Sequence, residues 1–167
     1  MIFRLSQKLA KKIKEAPSQS LPLDRNPFAD WSCHLFTAER TQFIILANTP
    51  SLYSAVMYGR GIANDGQFIG RALDCIREFM VHDGQEFLYR KFVAPTSGTV
   101  RFSKALNRSV TGSMNDLIRC GTLWLTERDL SPFDTSFKLN KMPMSLLKYG
   151  NPREAFKALK MEAGNGD

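Results

Sequence analysis

The sequence predicts an α+β fold: a single domain, residues 1–167, with an antiparallel or mixed sheet of about five strands packed with about four helices. Three observations carry this prediction. Strand-like runs at residues 31–39 and 42–48 lie close enough to pair as a hairpin. Segments 68–80 and 110–127 repeat apolar residues at helical spacing. Strands and helices are mixed with hairpin-like neighbours, unlike the regular alternation of a doubly wound parallel sheet.

Taken in order, residues 1–5 are an apolar run that reads as a strand. Ser6 then caps a helix in which Leu9, Ile13 and Ala16 recur at near-helical spacing until Pro17 stops it. Residues 17–30, with Pro17, Pro22 and Pro27, form an irregular connection. The hairpin follows, with Arg40-Thr41 as its turn, although the favoured Asn-Gly chemistry is absent. Residues 52–58 add a third strand, which Gly59, Gly61, Asn64 and Gly66 interrupt. Phe68, Ile69, Ala72, Leu73, Ile76, Phe79 and Met80 then share one helical face, and Gly84 suits the helix end.

Residues 86–94 fit either a strand or an extension of that helix. A turn at 95–98 leads to a strand at 99–105, and a second long helix starts near Val110. Val110, Met114, Leu117, Gly121, Trp124 and Leu125 lie on one side of it. Residues 133–139 read as a last strand. Asn151-Pro152-Arg153-Glu154 starts a final helix, with a capping residue, proline at the first helical position and an acid behind it.

Apolar content of 43% and twelve phenylalanines indicate a folded chain with a substantial core. No apolar run approaches the roughly 20 residues needed to span a bilayer. The first residues lack a signal-peptide apolar region, which predicts a cytoplasmic location and no membrane partner. Cys33, Cys75 and Cys120 are widely separated and form no C-x-x-C pair, so they read as reduced, mostly buried thiols.

The net charge of +7 resides at the two ends. Residues 16–136 hold twelve basic and twelve acidic side chains, which cancel. If the termini meet in space they form one basic patch, a nucleic-acid footprint. Otherwise Lys8, Lys11, Lys12, Lys157 and Lys160 are the solvated faces of two terminal helices.

The richest chemistry lies at residues 107–116, where a strand-like run gives way to a helix-like one. With a helix starting near Ser109, the hydroxyls of Ser109, Thr111 and Ser113 fall beside its unpaired N–H groups. Gly112 admits a close approach. Arg108, Asn115, Arg119 and Thr122 form a polar stripe opposite the apolar face. Two readings fit. In one, Arg108, Ser109, Ser113, Asn115, Asp116 and Arg119 bind an anion. Arg108 is then the charge anchor, Ser109 and Ser113 the hydrogen-bond donors, Asn115 the orienting group, and Asp116 the partner of Arg108 or Arg119. In the other, Ser109 caps the helix and Arg108 pairs with an acid. The segment lacks the G-x-x-x-x-G-K-[ST] spacing of a P-loop.

Asn107-Arg108-Ser109-Val110-x-Gly112-Ser113-Met114-Asn115-Asp116 resembles the signature of an uncharacterised bacterial family, a domain of unknown function. The opening strand and Lys-rich helix, Trp31, and the run Pro143-Met144-Ser145-Leu146-Leu147-Lys148-Tyr149 extend the likeness over most of the chain. Segment 86–99 is longer than the family pattern. The resemblance implies a bacterial source and a link to plasmids or mobile elements, and it supplies no activity.

Other chemistry has little support. The only histidines are His34 and His82, and adjacent Cys33 and His34 on a strand point to opposite faces, so no metal site and no cofactor are expected. Gly112-Ser113-Met114 is not a hydrolase elbow. The expected role is binding an anionic partner, nucleic acid first, with Phe3 and Tyr149 available for stacking. One alternative is an enzyme acting on a phosphorylated small molecule or nucleotide, which predicts Arg108, Asn115 and Asp116 gathered in a concave pocket. A second is a protein-interaction accessory module, using Met142, Met144, Leu146 and Leu147 as its surface.

Overall fold

A computed structural model describes residues 1–161; residues 162–167, which belong to the expected domain and to the C-terminal charge, lie outside the described residues. The chain runs β1 (Ile2–Leu5), α1 (Gln7–Lys12), β2 (Asp30–Ala38), β3 (Thr41–Asn48), β4 (Ser54–Tyr58), α2 (Asp65–His82) and α3 (Glu86–Leu88). After a π turn at Tyr89–Val93 it continues as β5 (Arg101–Ser103), α4 (Arg108–Thr126), α5 (Pro132–Leu139) and α6 (Pro152–Lys157). This is the expected α+β architecture. The sheet is mixed, in the order β4-β3-β2-β1-β5. β2, β3 and β4 pair antiparallel, while β1 lies parallel to both β2 and β5.

Strand alternation gives each face of the sheet its own core. Phe3, Leu5, Trp31, Cys33, Ile44, Leu46, Ala55 and Met57 pack under α1, α2 and Phe156 of α6. Phe36, Phe43, Ile45, Ala47 and Val56 pack on the other face against Val110, Met114 and Leu117 of α4 and Leu139 of α5. Ser6, Asn64, Asn107, Ser131 and Asn151 each cap a helix with a side-chain oxygen that accepts a backbone N–H three residues on.

Several elements differ from the sequence reading, each for a physical reason. Residues 133–139 form helix α5, not a strand, because Ser131 caps and Pro132 pre-sets the first turn. Residues 86–94 are helical turns. The strand expected at 99–105 shrinks to Arg101–Ser103, and the one at 52–58 to Ser54–Tyr58. α1 ends at Lys12, short of Ala16, because Lys14 turns left-handed (φ 61°). The hairpin turn is Glu39-Arg40, one residue earlier than expected, with φ of 47° and 66°. A two-residue loop demands this left-handed pair, although neither residue favours it.

Both sheet edges are covered. Beyond β4, Ser136 Oγ accepts the Val56 N–H at 2.8 Å, and Asn140 both accepts the Ser54 N–H (2.8 Å) and donates to the Ser54 carbonyl (2.9 Å). Residues 19–21 cover β5: Lys104 N–H donates to the Gln19 carbonyl (3.0 Å) and Leu21 N–H to Ser103 Oγ (2.9 Å). Unpaired edges invite another chain, and these side chains and segments close them.

Among the described residues one ion pair is wholly buried. Arg4 of β1 grips Asp30 of β2 through two bonds of 2.8 Å, and both side chains are fully shielded from solvent. The same guanidinium donates to the carbonyls of Leu21 (2.7 Å) and Pro22 (3.1 Å), while Asp30 accepts from Thr49 Oγ1 (2.7 Å) and Asp24 N–H (3.1 Å). The pair therefore pins the irregular connection to the sheet. Such a charge pair is tolerable only because every donor and acceptor is answered.

Candidate functional site

The 107–116 segment opens α4, but its cap is Asn107 and not Ser109. Asn107 is extended (φ −163°, ψ 175°), and its Oδ1 accepts the Val110 N–H at 2.9 Å. The helix thus starts a residue before Ser109. Thr111 Oγ1 donates to the Asn107 carbonyl (3.2 Å) and Ser113 Oγ to the Ser109 carbonyl (3.0 Å). Ser113 is buried to all but a small part, and its hydroxyl proton is engaged by the Ser109 carbonyl. Asp116 pairs with Arg119 at 3.3 Å on the exposed surface, and Arg108 makes no ion pair among the described residues. Arg108, Asn115 and Asp116 are all exposed on the helix; Asn115 and Asp116 border one open groove, and Arg108 stands outside it.

The segment divides between two depressions. Five of the six expected site residues, Ser109, Ser113, Asn115, Asp116 and Arg119, border one open groove of about 560 Å³ with Gly112, Ser145 and Leu146. Thr111, Asn115 and Ile118, spaced along the neighbouring side of α4, line a cleft of about 1160 Å³. Asn115 touches both; Arg108 lines neither.

The larger cleft is built from distant parts of the chain. Leu5, Ser6, Gln7, Lys8 and Lys11 come from the end of β1 and from α1. His34, Leu35, Phe36 and Thr37 come from the outer half of β2, joined by Gln42 of β3. Lys104 and Ala105 follow β5, and Ser20 comes from the irregular connection. Parallel strands β1 and β5 lie side by side and both end here. From β1 the chain turns into α1 on one face of the sheet; from β5 it turns into α4 on the other. Where adjacent parallel strands send their connections to opposite faces, the chain leaves a crevice at the strands' carboxyl ends, the preferred position for ligands in such sheets.

The electrostatics of this cleft are one-sided. Lys8, Lys11 and Lys104 line it; among the described residues none of them is in a hydrogen bond or ion pair through its ammonium group, and no carboxylate lines the cleft. Lys12 reaches over to Gln42 Oε1 at 2.8 Å, which leaves that side chain's NH₂ free to donate. His34 is largely buried, and desolvation lowers its pKa to about 4. Its imidazole is therefore neutral at pH 7, offering one donor and one acceptor.

The floor holds a further feature. Ser6 N–H donates to the Cys33 carbonyl (3.0 Å) and Leu35 N–H to Ser6 Oγ (3.4 Å), so odd-numbered residues of β2 turn their backbone groups toward β1. β1 ends at Leu5, opposite Cys33. Past that point no strand among the described residues meets the Leu35 carbonyl or the N–H and carbonyl of Thr37, and both residues line the cleft.

The terminal lysines do not form one patch around this site. α1 sits where β1 ends, with Lys12 reaching Gln42 at the start of β3. α6 sits at the opposite end, where Phe156 stacks on Tyr53 (4.3 Å) and meets Phe28 and Trp31, and where Arg153 and Tyr53 both bind Asp83. Phe3 is fully buried against Phe68 and cannot stack on a base, whereas Tyr149 is exposed. Met144 is buried and Met142 and Leu147 pack beside it over the α4 face, which leaves Leu146 as the exposed residue of the expected interaction surface. Among the described residues no three His, Cys, Asp or Glu side chains converge as metal ligands, and no helix is long and apolar enough to cross a membrane.

Sequence reasoning singled out Asn115 as a ligand residue of the 107–116 segment and noticed Lys8, Lys11 and His34 without connecting them to it. It missed Lys104, Gln42 and Thr37, which no local pattern ties to α1.

The family model for a domain of unknown function, DUF6933, matches residues 2–155, and the chain belongs to that family. No curated protein and no solved structure matches it.

Proposed function

We propose that this member of a family without assigned activity binds a phosphate-bearing partner in the cleft between α1, the outer half of β2 and α4. One observation carries the reading: among the described residues three ammonium groups line the cleft and no carboxylate does. An anion about 4 Å from one ammonium gains about 4 kcal/mol at an effective dielectric of about 20, before desolvation is subtracted. The free NH₂ of Gln42 adds a neutral hydrogen-bond donor without adding negative charge. Nucleic acid and small phosphorylated ligands share this chemistry, and nucleic acid comes first in the test because the lysines are exposed at the cleft mouth. It would be held at this end of the sheet alone, since the α6 lysines lie at the other. A role beside plasmids or mobile elements in a bacterial cytoplasm is compatible with such a partner.

The test is a binding titration of labelled single- and double-stranded DNA and RNA, and of inorganic pyrophosphate, across salt concentration. Affinity should fall as salt rises, and the Lys8→Ala/Lys11→Ala/Lys104→Ala variant should bind roughly tenfold or more weakly. Unchanged binding by that variant, or no binding of any phosphate ligand at low salt, would overturn the proposal.

A further inference from the structure

The cleft is equipped for more than charge. An inorganic anion would use the lysines and the Gln42 amide and leave the rest of the lining idle. Leu35 on one side of the sheet plane, and Phe36 and Ile118 on the other, present apolar surface. Between them lies the free edge of β2, where the Leu35 carbonyl and Thr37 N–H point into space that β1 vacates after Leu5. An unpaired strand edge supplies a donor and an acceptor in one plane, spaced for a partner that is itself flat and carries both. The Asn115 amide and the neutral His34 imidazole offer further donors and acceptors at the same place. A fatty or aromatic carboxylate would match the lysines and the apolar walls, but it would leave this edge unanswered.

We infer that the occupant is a nucleoside phosphate, with its phosphate at the lysines and the rim of its base bonded to the exposed edge of β2. The inference rests on the phosphate-binding reading and adds the identity of the other half of the ligand. A flat ring entering in the sheet plane takes the position of a continued β1, bonded along its edge and covered on both faces. The cleft volume of about 1160 Å³ holds a ring and sugar as well as a phosphate. A free nucleotide and the terminal nucleotide of a strand present the same chemistry.

Calorimetric titration of the full chain with ADP, with inorganic pyrophosphate and with a 5′-phosphorylated oligonucleotide tests this. ADP or the oligonucleotide should bind at least about tenfold tighter than pyrophosphate, and whichever of the two is tighter identifies the source. Thr37→Pro removes the edge N–H, and Asn115→Ala removes an exposed amide. Each should bring nucleotide affinity down toward that of pyrophosphate and leave pyrophosphate binding unchanged, with the melting temperature as the check on folding. Should pyrophosphate bind as tightly as both nucleotide ligands, the nucleoside part is not read and this inference fails while the phosphate site stands. If none of the three binds, both fail together.

Discussion

Replacing Arg4 with Met keeps a long apolar stem in β1 and removes the guanidinium. Asp30 then loses both of its 2.8 Å charge-assisted bonds while remaining fully buried. It keeps only Thr49 Oγ1 and the Asp24 N–H. The carbonyls of Leu21 and Pro22 lose their donors as well. Stranding one partner of a buried ion pair costs about 3–5 kcal/mol, a large share of the roughly 5–15 kcal/mol that holds a domain together. Urea unfolding should therefore show the midpoint falling by about 4 kcal/mol divided by the m-value, with the m-value itself unchanged. Asp30→Asn keeps two polar atoms and should cost less. The double variant Arg4→Met/Asp30→Asn should cost clearly less than the two single losses added, because the second change removes the charge that the first leaves stranded. A loss below about 1 kcal/mol for Arg4→Met, or strict additivity of the pair, would refute the account of this network.

Three further outcomes are expected. Glu39→Asn/Arg40→Gly supplies the residues that the left-handed turn requires and should raise stability by about 1 kcal/mol, read as a higher urea midpoint. Asn140→Ala strips both bonds from Ser54 at the edge of β4 and should cost about 2–3 kcal/mol, with light scattering showing more self-association. His34 titrates near pH 4 in the folded chain and near 6.5 when unfolded, so the unfolded state takes the proton first as pH falls. Its contribution is complete above pH 6.5 and is lost between about 6.5 and 4, by up to about 3 kcal/mol; urea titrations of the wild type and of His34→Asn should diverge in that window and nowhere else.

The parts of this molecule that obey local rules were legible in the sequence. Ser6 and Asn151 announced their helices, and the apolar stripe from Phe68 to Met80 announced α2. α5 was read as a strand because Phe133, Thr135, Phe137 and Leu139 alternate. The residues that set its position, Ser136 and Asn140, act by satisfying β4 some eighty residues away in sequence. The candidate site was legible only in part for the same reason. Asn115 of the signature, and Thr111 at its open position, do reach the cleft, yet its charge comes from Lys8 and Lys11 at one end of the chain and Lys104 far along it. Charge counting showed a balanced middle segment and so concealed Lys104. The parallel pairing of β1 with β5, which brings these lysines together, leaves no trace in periodicity or spacing.

That pairing also sets an order of events during synthesis. β1 leaves the ribosome first but occupies an interior position in the sheet, and its second neighbour arrives only with Ser103, ninety-nine residues after Arg4. Until then the nascent chain can form the β2–β3–β4 meander and α2, whose contacts are local. One flank of β1, however, stays open, and the cleft lacks one of its walls. The cleft proposed to bind phosphate is thus among the last features to be completed, and its full lining is assembled only once α4 has emerged.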